Sequence, residues 1–118
     1  MIKEFVPYEI ALELKQLGFD EPCFAYFSES QQLHLCRFEN MSDRGFVSAP
    51  TYSKAFRWLR ENYPRLNFGF DKIHPESENY HYHINYKWEF FEGSYEEAES
   101  ECLKKLIKIV KDDNQRKV

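Results

Sequence analysis

From Tyr80 to Phe91 the chain alternates with a period of two. Tyr80, Tyr82, Ile84, Tyr86, Trp88 and Phe90 fall on one side, and His81, His83, Asn85, Lys87 and Glu89 on the other. Only an extended strand presents such a pattern to a single apolar layer, so this chain must build a sheet and cover one face of it. Three further stretches alternate more briefly. Pro22 to Ser28 and Gln32 to Phe38 flank Glu29-Ser30-Gln31, a connection short enough for an antiparallel hairpin, and Leu66, Phe68 and Phe70 mark a third strand. With Ser30 at the centre of the loop, Cys23, Ala25 and Phe27 share a face with Leu33 and Leu35. A slip of one residue would put Phe24 and Tyr26 there instead.

The cover comes from three segments that each open Tyr-x-x-Ala. The first is expected from Pro7 to Leu17, with Ile10, Ala11, Leu14 and Leu17 facing inward and Gly18 as a left-handed stop. The second carries Tyr52, Ala55, Phe56, Leu59 and Tyr63 as an apolar stripe ended by Pro64. The third, from Tyr95 to Lys111, buries Ala98, Cys102, Leu106, Ile109 and Val110, with Leu103 and Ile107 widening the arc. It opens on a capping box, Ser94 with Glu97, and places glutamates at its start and lysines at its end, as the helix dipole favours. Glu39 to Ala49 and Asp71 to Asn79 read as loops, the former as the most mobile part. The expectation is one α+β domain over residues 1–111 with a polar tail, 112–118. Its antiparallel sheet of about four strands, in two hairpins, carries three helices on one face in the order αββαββα.

Composition narrows the functional classes. The 118 residues include 16 Lys+Arg and 20 Asp+Glu, a net charge of -4 shared evenly by the two halves, so no basic domain offers itself to duplex phosphates. No apolar run approaches the roughly 20 residues that span a bilayer, and Met1 to Pro7 does not resemble a signal peptide, so a cytoplasmic location and no membrane partner are expected. Cys23, Cys36 and Cys102 match neither a disulfide framework nor a zinc pattern and read as reduced. Four glycines, at 18, 45, 69 and 93, leave no phosphate-binding loop. His81 and His83 point the same way from one strand, with His74 or Glu89 as further donors, but nothing fixes a third metal ligand. His34 and Cys36 lack an orienting third group. No catalytic residue, metal or cofactor is therefore assigned, and the oligomeric state is open.

Aromatic residues make up 18% of the chain, more than a small core needs, so some rings are expected at the surface as contact anchors. Trp58 lies off the stripe of the second helix beside Arg57 and near Arg60, and Arg65 follows Pro64. With His81, His83 and Lys87 from the long strand, these form the expected partner-binding surface. The alternative is a single-stranded nucleic-acid or replication accessory protein that stacks bases on Tyr82, Tyr86 and Trp88.

Three blocks resemble a family of small uncharacterised prophage and mobile-element proteins of Bacteroidetes bacteria. They are Phe5-Val6-Pro7-Tyr8 through Gly18-Phe19-Asp20-Glu21-Pro22-Cys23, Ala49-Pro50-Thr51-Tyr52-Ser53-Lys54-Ala55-Phe56-Arg57-Trp58, and Tyr95-Glu96-Glu97-Ala98 through Cys102-Leu103-Lys104-Lys105-Leu106. The resemblance implies a phage setting inside a bacterial host cell and carries over no catalytic residue. By analogy it implies a non-enzymatic protein that binds a host protein or ribonucleoprotein, such as an inhibitor of a defence nuclease of the anti-CRISPR kind.

Overall fold

The computed structural model describes residues 4–72, 74–89, 91 and 93–116, apart from the side chains of residues 43, 115 and 116. The elements run α1 (Tyr8–Gln16), β1 (Cys23–Phe27), β2 (Leu33–Glu39), β3 (Val47–Ser48), α2 (Tyr52–Asn62), β4 (Phe68–Lys72), β5 (Tyr80–Ile84), β6 (Lys87–Trp88) and α3 (Tyr95–Arg116). The class is α+β with three helices, but the strands form two antiparallel sheets of three, ordered β2-β1-β3 and β4-β5-β6, in place of one sheet of four. The chain divides into two compact units, residues 1–58 and 59–118, with the boundary inside α2.

In the first unit α1 starts after Pro7, whose fixed φ of -70° suits a helix entry. It ends in a Schellman motif. Gly18 takes φ +102°, its N–H donates to the Lys15 carbonyl at 3.0 Å, and the Phe19 N–H donates to Leu14 at 2.9 Å. Ile10, Ala11 and Leu14 are buried as the stripe requires. The β1–β2 register is the one centred on Ser30, with Ala25 opposite Leu35, Tyr26 opposite His34 and Phe27 opposite Leu33. Cys23, Ala25 and Phe27 consequently face the core, while the β2 strand lies at the sheet edge and leaves Leu35 exposed.

The segment from Glu39 to Ala49, expected as a loop, is structured. Met41–Arg44 is a turn of 3-10 helix capped by the Asn40 side chain, which accepts from the Ser42 N–H at 3.1 Å, and Val47–Ser48 pairs with β1 as β3. Met41, Val47 and Ala49 are buried. No apolar period announced this, because a two-residue strand is shorter than any periodicity can register.

In the second unit β4 and β5 pair from Phe68 opposite Ile84 to Lys72 opposite Tyr80, and α3 packs on β5. The capping box is formed, with the Ser94 N–H donating to Glu97 Oε1 at 3.1 Å and the Glu97 N–H to Ser94 Oγ at 3.2 Å. Leu103, Leu106 and Ile107 are fully buried, whereas Ile109 is only half-buried, so the inner arc lies slightly off the expected one. The helix continues past Lys111 to Arg116.

The long alternating stretch is not one strand. Asn85 and Tyr86 adopt φ of +53° and +69°, the signature of a type I′ turn, and the chain reverses so that His83 lies opposite Trp88 and Ile84 opposite Lys87. Asn favours that turn, but Tyr at its second position does not, which hid the hairpin within the alternation. Phe90 lies outside the described residues. Glycine holds such a conformation without the Cβ penalty, so Tyr86→Gly is expected to stabilise the fold by about 1 kcal/mol in urea unfolding. An unchanged midpoint would mean that the turn carries no strain.

Candidate functional site

Two surfaces, one in each unit, display side chains suited to contact. The first is an open groove of about 430 Å³ in unit 1, with Phe24, Phe38, Lys54 and Arg57 as its prominent walls and Cys23 and Pro50 deeper. Phe24 points away from the core because its neighbours Cys23 and Ala25 point inward. Opposite it β2 is irregular: Cys23 pairs with Glu39 and Ala25 with Leu35, so Cys36, Arg37 and Phe38 together face the single residue Phe24. This bulge brings Phe38 beside Phe24, with ring centroids 4.9 Å apart, and leaves the two rings 51% and 58% exposed.

α2 supplies the charged wall. Thr51 Oγ1 accepts from the Lys54 N–H at 3.2 Å at the start of the helix, and the first turn contains no acidic residue. Lys54 Nζ lies 4.6 Å from the centre of the Phe38 ring and 3.7 Å from Glu21 Oε1, and Arg57 Nη2 lies 4.0 Å from the same oxygen. Burial pushes the Cys23 thiol up to about 12, so at neutral pH it is protonated and a poor nucleophile.

The second surface is the outer face of β4-β5-β6. Trp88, 53% exposed, has its ring centre 4.1 Å from that of His81 and 4.9 Å from that of His83, and Tyr86 at the turn is 83% exposed. Because the turn contains two residues, Trp88 shares the histidine face and not the Tyr82 face, which corrects the alternation read from sequence. His83 lies over Gly69, where a Cβ would approach Nε2 to 2.6 Å, and its buried Nδ1 has no hydrogen-bond partner. Among the described residues no group of three His, Cys, Asp or Glu side chains is placed to hold a metal ion.

The residues singled out from sequence are dispersed among these settings. Arg57 lines the groove of unit 1. Trp58 is buried at 5% exposure with its ring edge-on to Phe19, centroids 5.5 Å apart, so it packs in the interior and is not a surface anchor. In unit 2 the Arg60 guanidinium lies 4.5 Å over the Phe68 ring, and Arg65 borders a separate hollow with Tyr63 and Asp113. His81 and His83 do share a face, as expected, whereas Lys87, exposed on β6, pairs with Ile84 and so lies on the opposite face from the histidines. Tyr82 is 2% exposed and cannot serve as a stacking platform, which leaves Tyr86 and Trp88 of that trio. Phe24, Phe38 and Lys54 were missed from sequence. The hairpin register would have given Phe24, but the β2 bulge that delivers Phe38 has no local signature.

No described helix is long and apolar enough to cross a membrane. Searches against protein-family models, curated proteins and solved structures found no match to this chain.

Proposed function

We propose that this chain is a non-enzymatic binding protein that engages a host macromolecule through the Phe24/Phe38 groove. The observation that carries this reading is the pair of adjacent, half-exposed phenylalanines beneath Lys54 and Arg57. Large rings left in water are costly unless a partner covers them, and aromatic and arginine side chains are the commonest interface anchors. The likeness of the three sequence blocks to prophage proteins suggests the target class, a bacterial host protein or ribonucleoprotein such as a defence nuclease, acted on in the host cytoplasm. The test is photo-crosslinking in host lysate with a benzophenone amino acid substituted at Phe38 or at Tyr86. The Phe38 position is expected to capture a discrete protein; crosslinks from the Tyr86 position alone would overturn the assignment.

The second reading, single-stranded nucleic-acid binding, draws on the exposed Trp88 and Tyr86 rings. It entails quenching of tryptophan fluorescence by oligodeoxythymidylate that weakens steeply with salt. The acidic net charge weighs against it.

A further inference from the structure

We infer that the occupant of the groove is an acidic peptide segment, which seats an apolar side chain against Phe24 and Phe38 and presents a carboxylate to Lys54 and Arg57. This rests on the groove being the partner surface and adds the chemistry of the partner. The groove's lining includes two cationic side chains, and although Glu21 approaches both from beside it, these three charged groups sum to +1 where the chain as a whole carries -4. Its local sign is therefore opposite to that of the molecule, and complementary charge selects and steers an anionic partner.

Glu21 shows how these cations receive a carboxylate. A single oxygen of its side chain lies 3.7 Å from Lys54 Nζ and 4.0 Å from Arg57 Nη2, so both reach one anionic group from adjacent turns of α2. The volume, about 430 Å³, falls within the roughly 300–1,000 Å³ of ligand clefts. Nucleic acid is the poorer occupant. Stacking a base needs an open ring face, whereas Phe38 has the Lys54 ammonium over it at 4.6 Å and the Phe24 ring beside it. A peptide side chain instead packs on the exposed ring edges, which its apolar atoms can cover without displacing Lys54.

The test is an amide-resolved NMR titration of the full chain with three probes. The first is an acetylated, amidated octapeptide with two glutamates flanking a Leu-Phe pair. The second is the same peptide with lysines for glutamates, and the third is an eight-residue oligodeoxythymidylate. The glutamate peptide is expected to shift the amides of Phe24, Phe38, Lys54 and Arg57 and to bind at least tenfold more tightly than the lysine peptide. Lys54→Met with Arg57→Glu should abolish or invert that preference while leaving the spectrum of the free protein dispersed. Equal shifts from both peptides would overturn the acidic partner and leave the groove standing as a binding surface. Groove shifts from the oligonucleotide alone would assign a nucleic-acid occupant. If no probe moves the groove amides and Phe38→Ser leaves partner capture intact, the groove reading fails as well.

Discussion

Raising the pH from 8 to 10 is expected to remove roughly 3 kcal/mol of folding stability through two buried thiols. Cys23 in unit 1 and Cys102 in unit 2 are 1% and 0% exposed, and burial pushes each thiol from its ordinary 9.0 up to about 12. The sign follows from linkage. Above pH 9 the unfolded chain releases these protons while the folded chain retains them, so fewer protons are bound in the unfolded state and stability falls as pH rises. The contribution is complete below pH 9 and diminishes until about pH 12. One unit above the unfolded value costs about 1.4 kcal/mol per thiol. Tyr82 and Tyr95, also raised chiefly by burial, act in the same direction. Urea midpoints measured in reductant at pH 8, 9 and 10 should fall accordingly. Cys23→Ala with Cys102→Ala should flatten the dependence even though the small cavities lower stability at pH 8. An unchanged midpoint from pH 8 to pH 10 would show that the thiols are not buried as described.

Trp58→Ala is expected to cost about 3–5 kcal/mol, a large share of the roughly 5–15 kcal/mol that holds an ordinary domain folded. The indole is buried and meets Phe19 edge-on, so truncation removes apolar burial and an aromatic contact together. Phe38→Ser, at a ring already half in water, should stay within about 0.5 kcal/mol of the parent. Thermal or urea unfolding of the two variants separates the interior aromatic from the surface one. Equal costs would contradict the burial of the Trp58 ring and the exposure of the Phe38 ring.

What the sequence conveyed was whatever depends on near neighbours. The left-handed stop at Gly18, the Ser94 cap and the three apolar stripes rest on interactions within a few residues, and the helices formed where those signals lie. The hairpin register was legible only as one of two, since a slip of one residue would have exchanged the faces, and it is the pairing across the sheet that turns Cys23, Ala25 and Phe27 inward. Legibility ended where two elements decide jointly. Asn85-Tyr86 sits in an alternation that continues through it, and only the pairing of His83 with Trp88 shows the reversal. Trp58 lies off its helix's stripe, yet Phe19, distant in sequence, meets it. Phe24 and Phe38 become neighbours through a bulge that neither strand announces.

The central claim is that the Phe24/Phe38 groove is the partner surface, and paired affinity capture from nuclease-treated host lysate addresses it most directly. The bait is the parent chain, Phe38→Ser or Trp88→Ala, each shown folded by its thermal transition. The same protein should be recovered with the parent and with Trp88→Ala, and depleted about thirtyfold with Phe38→Ser, the loss of roughly 2 kcal/mol expected of an anchor. Recovery undiminished by Phe38→Ser but lost with Trp88→Ala would contradict the claim and move function to the outer face of β4-β5-β6.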